Sequence, residues 1–216
     1  MLRPFVFFDL DGTLTDPAPG ICGCVRYALE KGGYQAEPLE AYHSWIGPPL
    51  LSSFEEYLHC DRAESERLVA LYRERFGTVG LFENTLYPAI PGLLAKLKAA
   101  GARMALCTGK PTVYAARILE HFGIAEYFDY VSGIELQGEP LSKHGVIRLA
   151  MEKLGVSDPG ECIMVGDRFH DVEGAQLSHM ESVMVLYGYG DAAEAERCGA
   201  TYTAGSVEEL EALLLG

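Results

Sequence analysis

"FVFFDLDGTLTD", residues Phe5 to Asp16, runs an apolar strand-like segment into carboxylates: Asp9 and Asp11 stand at its exit, followed by Gly12 and Thr13. Taken alone, an acidic pair after a strand reads as a turn or a helix cap, both of which aspartate favours. The rest of the chain decides otherwise. From residue 86 onward, short apolar runs alternate with amphipathic ones. The apolar runs are "ARMALC" (102–107), "YFDYVSG" (127–133), "ECIMVG" (161–166), "SVMVLY" (182–187) and the weaker "ATYTA" (200–204). Between them lie "PGLLAKLKAAG", "TVYAARILEHFG", "KHGVIRLAMEKLG", "DVEGAQLSHM" and "SVEELEALLL", several closed by glycine as helices often are. Strands that are apolar throughout and alternate with helices imply a parallel sheet covered on both faces. "FVFFDL" reads as one more of its strands, although the next comes some ninety residues later.

The intervening stretch has another texture. "GICGCVRYALEKGG", "LLSSFEEYLHC" and "AESERLVALYRERFG" read as helices, with the turn-rich "WIGPPL" between the first two. A helical insert after the first strand is expected, with the chain then returning to the sheet. The 216 residues suffice for a sizeable core without disulfides or structural metal. Six cysteines include no C-x-x-C; Cys107 and Cys162 fall inside strand-like runs, where a reduced buried thiol is expected. No apolar stretch reaches the roughly 18 residues of a membrane span, and no basic region precedes an apolar leader. A cytoplasmic protein without a membrane partner is expected. The net charge of −14 argues against a nucleic-acid polymer as partner.

In open parallel sheets, ligands bind outside the carboxyl ends of the strands. The first strand delivers Asp9, Asp11, Gly12 and Thr13 there; "ALCTGKP" delivers Thr108, Gly109 and Lys110; "IMVGDRFHD" delivers Gly166, Asp167 and Asp171. Four carboxylates in one small site raise one another's pKa values unless cations offset them. A divalent cation such as Mg²⁺, held by carboxylates, waters and a substrate phosphate, is one remedy. A lysine is the other, and Lys143 in "GEPLSKHGVI" is the candidate. Together they would make one rim of a strongly acidic protein attractive to a small phosphorylated substrate. Alternate residues of an extended segment face one side, so Asp9 and Asp11 can serve one substrate in different roles. One would attack as a carboxylate nucleophile and the other would exchange protons. Gly12 would let backbone approach the phosphate oxygens.

"DLDGTLTD", the Thr108 of "CTGKP", Lys143 and "GDRFHD", in this order and strand context, resemble the haloacid dehalogenase superfamily of phosphohydrolases. The resemblance spans essentially the whole chain, with the helical insert similar to that superfamily's C1-type cap. It implies an α/β fold: a Rossmann-like doubly wound parallel sheet from residues 1–15 and 86–216, and an all-helical cap from 16–85. By position it implies Asp9 as nucleophile and Asp11 as general acid/base. Thr108 and Lys143 would hold the phosphoryl group, joined by Gly12, Thr13 and Gly109. Mg²⁺ would be held by Asp9, the Asp11 carbonyl, Asp167 and, through its water shell, Asp171. One departure is His144, since the lysine of this superfamily is often followed by proline. "WIGPPL", "CTGKP", "GDRFHDVEGA" and "LYGYG" further resemble phosphatases that are phosphoglycolate phosphatase-like or 5′-nucleotidase-like, acting as a monomer or weak homodimer. The "IGPPL" turn offers no cation for a second anionic group, which weighs against phosphoglycolate.

Each residue also has a plainer reading. Thr108 alone would be a helix N-cap, and Asp171 would favour a helix start through the macrodipole. Lys110 reads as a solvated lysine or a second phosphate contact, and His170 as a surface histidine. His43 and Trp45 read as packing within the insert, and Tyr187 and Tyr189 as structural. Pyrophosphatase and sugar phosphomutase activities share such a core. A haloalkanoic acid dehalogenase would not need the acid at position 11. A phospho-receiver module would carry its acceptor on a middle strand without the insert.

Overall fold

The computed structural model describes residues 3–136 and 141–216. The first part of "GEPLSKHGVI", residues 138–140, therefore lies outside the described residues. The chain forms two compact units: Met1–Asp16 with Leu86–Gly216, and Pro17–Thr85.

The first unit is built on a six-stranded sheet of β1 (Phe5–Phe8), β4 (Arg103–Pro111), β5 (Tyr130–Ile134), β6 (Cys162–Gly166), β7 (Glu181–Val185) and β8 (Tyr202–Ala204). Its order is β5-β4-β1-β6-β7-β8, and every paired neighbour is parallel. Two further short strands, β2 (Thr15–Asp16) and β3 (Thr85–Leu86), form a separate two-stranded sheet. The register places Phe7 beside Ala105 and Met164, and Phe8 beside Leu106 and Val165. All six side chains are fully buried. A strand apolar at every position is what burial on both faces demands. After β1 the chain builds outward through β4 and β5, then returns to the other side of β1 for β6. That reversal opens a crevice at the carboxyl ends of β1 and β6, where a doubly wound sheet places its ligand.

Helix α6 (Lys143–Leu154) covers one face. The Ser142 hydroxyl accepts the Gly145 N–H at 3.2 Å, and Gly155 closes the helix at φ 68°. Val146, Ile147, Ala150 and Leu154 recur at helical spacing and pack on Phe7, Cys107 and Met164. This packing fixes the rotation of α6 and turns Lys143, its first residue, toward the strand ends.

Strand β4 runs further than the apolar run "ARMALC" indicates. Pairing with β5 shifts register between Cys107 and Pro111, so Thr108, Gly109 and Lys110 occupy a bulge rather than a loop beyond the strand. Strand β5 starts later than "YFDYVSG", because Ala125–Tyr127 forms a 3₁₀ turn. The Asp129 carboxylate then takes the Met104 N–H at 2.9 Å.

The second unit is helical: α1 (Ala18–Gly32), α2 (Leu50–Leu58) and α3 (Arg62–Phe76), with 3₁₀ turns at Leu39–Trp45 and Gly80–Phe82. Trp45 is buried, edge-on to Tyr42, Phe54 and Tyr57 with ring centroids 4.9–5.9 Å apart. His43 is exposed. Among the described residues, no helix is long and apolar enough to cross a membrane.

Candidate active site

The chain leaves β1 through a turn closed on one carbonyl. Leu10 O accepts from the N–H groups of Thr13, Leu14 and Thr15 at 3.3, 2.9 and 3.1 Å, while Gly12 N–H donates to Thr15 O at 2.7 Å. Gly12 has φ +79°, which a glycine adopts freely. The turn thus engages the backbone amides of Gly12 and Thr13. The Thr13 hydroxyl is buried without a hydrogen-bond partner among the described residues.

Asp9, Asp167 and Asp171 converge. Each is buried, and each offers a carboxylate oxygen, these atoms all lying within 4.8 Å of one another. Asp9 is anchored by its N–H to Val165 O at 2.8 Å, and Asp167 follows the last residue of β6. Asp171 lies in the first turn of α7 (Phe169–Leu177), where its Oδ2 accepts the Arg168 N–H at 3.2 Å. Its helix-start role is therefore real and coexists with its place in the cluster. The Lys143 ammonium lies 2.8 Å from both Asp9 Oδ1 and Asp171 Oδ1, and it donates to Cys107 O at 2.9 Å. A lysine in a first helical turn opposes the macrodipole, and here two carboxylates compensate for that.

Burial pushes the Asp167 carboxyl well above its ordinary range, with Asp171 and Asp9 adding to the rise. Asp171 is raised to about 6 by burial, opposed by Lys143 and reinforced by Asp9. For Lys143, burial works against the charged form, but Asp171 and Asp9 outweigh it and hold the ammonium more strongly than usual. Three acids against one ammonium leave a surplus of negative charge on an all-oxygen donor set. That donor chemistry fits a hard divalent cation.

Asp11 stands apart from the cluster. Its Oδ2 is 2.8 Å from the ammonium of Lys110, and its Oδ1 is buried without a hydrogen bond among the described residues. Burial raises its pKa against the pull of Lys110. The solvated reading of Lys110 is corrected here, since its side chain is 6% exposed. Thr108 is buried in the same bulge, its hydroxyl accepting the Lys110 N–H at 3.2 Å. Gly109 is open: apart from its chain neighbours, no described residue comes within 4 Å of where a Cβ would sit.

A family model of haloacid dehalogenase-like hydrolases matches residues 5–179. The chain belongs to that family. It is 39% identical over 187 residues to a 5′-nucleotidase of Pseudomonas aeruginosa, covering 87% of this chain and 84% of the relative. It is 37% identical over 211 residues to the tyrosine-protein kinase PtkA of Mycobacterium tuberculosis, covering 97% and 72%. Among solved structures, a predicted phosphatase from Clostridium acetobutylicum superposes with a TM-score of 0.94 at 43% identity, covering 100% of this chain and 99% of that one.

Several supports of this hydrolase's site were not legible as such. Tyr189 N–H donates to Asp167 Oδ2 at 2.8 Å, and the Tyr189 hydroxyl bonds Asp16. Tyr187 donates its hydroxyl to Thr13 O at 3.0 Å. Both tyrosines are structural, but what they order is the site. A Cβ on Gly188 would lie 2.5 Å from Asp167 Cβ, and one on Gly190 would lie 2.1 Å from Asp167 O. The spacing G-Y-G was the available signal. Glu194 Oε1 accepts from Phe169 N at 2.7 Å and Arg168 Nε at 3.0 Å, fixing the start of α7. Nothing in the sequence announces it. His170 is half-buried beside the Phe169 ring, and burial lowers its pKa.

Proposed function

We propose that the chain is a Mg²⁺-dependent phosphatase that hydrolyses a small phosphorylated metabolite through an aspartyl-phosphate on Asp9. Its class is phosphoric monoester hydrolase, within the haloacid dehalogenase-like family. The observation that carries the reading is the Lys143 ammonium held between Asp9 and Asp171 at 2.8 Å. That arrangement orients the Asp9 carboxyl beside an ammonium at the exit of β1.

In the first step an Asp9 carboxylate oxygen forms a bond to phosphorus as the ester P–O bond breaks. The leaving oxygen takes its proton from Asp11. In the second step a water oxygen bonds phosphorus, the Asp9–phosphorus bond breaks, and the water's proton returns to Asp11. Thr108 and Lys143 hold the phosphoryl oxygens. Asp9, Asp167 and Asp171, with the Asp11 carbonyl, would hold Mg²⁺, which neutralises phosphate charge when bound. Positioning and charge supply most of such catalysis. The Pro17–Thr85 unit is assigned the role of a substrate-selecting cap. We read the enzyme as a cytoplasmic monomer or weak homodimer.

The likeness to a 5′-nucleotidase favours nucleoside monophosphates among the candidates, ahead of phosphoglycolate, pyrophosphate and sugar phosphates. The test is a panel of these compounds assayed for kcat/KM with Mg²⁺ and after chelation. Phosphate release that needs Mg²⁺ and favours one ester supports the reading. Isomerised sugar phosphate without release would make it a mutase, and a lasting phosphoprotein without release would remove hydrolysis altogether.

A further inference from the structure

Each of the two acids of D-x-D has an ammonium against it. Lys143 lies against Asp9, and Lys110 lies against Asp11, each at 2.8 Å. Lys110 is also fixed at its backbone. Its N–H donates to Thr108 Oγ1, and its carbonyl packs so tightly on β5 that a Cβ on Gly133 would come within 2.5 Å of it. The ammonium therefore approaches Asp11 from a rigid bulge. It binds one oxygen of that carboxyl, Oδ2, while Oδ1 makes no hydrogen bond among the described residues.

We propose that Lys110 is a positioning residue for proton transfer: it holds the Asp11 carboxyl through Oδ2 and so fixes the orientation in which that carboxyl serves the leaving group. The proposal rests on the reading of Asp11 as the acid/base. It assigns Lys110 a task distinct from gripping phosphate, because the ammonium acts on the proton carrier. A leaving group that departs as a stable anion needs little protonation, whereas an alkoxide needs it fully. The contribution of Lys110 should therefore grow with the basicity of the leaving oxygen, which a merely structural or phosphate-gripping lysine would not produce.

The experiment compares kcat/KM for glycerol 2-phosphate and p-nitrophenyl phosphate in the wild-type chain and in Lys110→Met, Lys110→Arg, Gly133→Ala and Asp11→Asn. Lys110→Met is expected to lose about 10–100-fold on the alkyl ester and less than about 3-fold on the aryl ester. Lys110→Arg should recover part of the alkyl activity. Gly133→Ala, which displaces the Lys110 backbone but keeps the ammonium, should discriminate in the same direction and more weakly. Equal losses on both esters in Lys110→Met and Gly133→Ala would overturn the proposal if Asp11→Asn still discriminates. If Asp11→Asn itself treats both esters alike, the acid/base reading fails and the proposal fails with it.

Discussion

Gly12 and Asp167 approach so closely that a methyl group does not fit between them: a Cβ on Gly12 would lie 2.0 Å from Asp167 Oδ2. Gly12 also sits at φ +79°, so alanine there meets backbone strain as well as a collision. Gly12→Ala is expected to destabilise the fold by about 1–3 kcal/mol and to weaken metal binding by displacing Asp167. Thermal melts and Mg²⁺ titrations check both effects. Gly92→Ala, in the open first turn of α4 (Ile90–Ala99), should instead gain up to about 1 kcal/mol.

Asp9→Asn keeps the shape of the side chain and leaves Lys143 its contact with Asp171. Phosphate release should fall by at least about 10³-fold with the melting temperature little changed. Near-normal release would assign the nucleophile elsewhere.

Lys143→Met removes the ammonium from between two buried carboxylates. Uncompensated buried charge of this kind costs about 3–5 kcal/mol, which should appear as a large drop in melting temperature without metal. Mg²⁺ should restore part of the stability but little of the turnover. Full activity would mean that another cation holds the phosphoryl group.

The carboxyls of Asp171, pushed up to about 6, and Asp167, raised further, make stability depend on pH in an unusual direction. A carboxyl whose pKa is higher in the folded than in the unfolded chain holds an extra proton when native. Its stabilisation is complete below the unfolded value near 4 and is lost as pH rises through about 6. A metal ion competes with those protons. Added Mg²⁺ should therefore raise the melting temperature more at about pH 7.5 than at about pH 5. Equal shifts would mean that the acids stay ionised throughout.

The architecture was largely legible because its signals are local. The apolar runs, the helical texture of the insert and the acids at strand exits all lie within a few residues of one another. Asp9 and Asp167 follow strand exits, which converge in any doubly wound sheet, Thr108 follows the apolar run of β4, and Lys143 and Asp171 stand in the first turns of α6 and α7. Lys110 could not be placed, because its meaning depends on Asp11, some hundred residues away across a bulge that apolar periodicity does not reveal. The turn that occupies the Gly12 amide was likewise not visible, because its hydrogen bonds depend on backbone geometry rather than residue type. Gly188 and Gly190 were visible only as the G-Y-G spacing, and Glu194 acts through a distance that no composition signal encodes.

Strand β1 is made before the other strands of its sheet, yet it ends up with β4 and β6 on either side, partners some one hundred and one hundred and sixty residues downstream. Its apolar ribbon must wait through most of translation before both edges are covered, while Pro17–Thr85 emerges complete and can fold in the interval. Such distant pairing slows folding and lengthens exposure of an aggregation-prone segment. The nucleophile candidate is thus synthesised well before the strands that complete its working surroundings, so nascent-chain truncations before β6 are expected to be chaperone clients rather than weak enzymes.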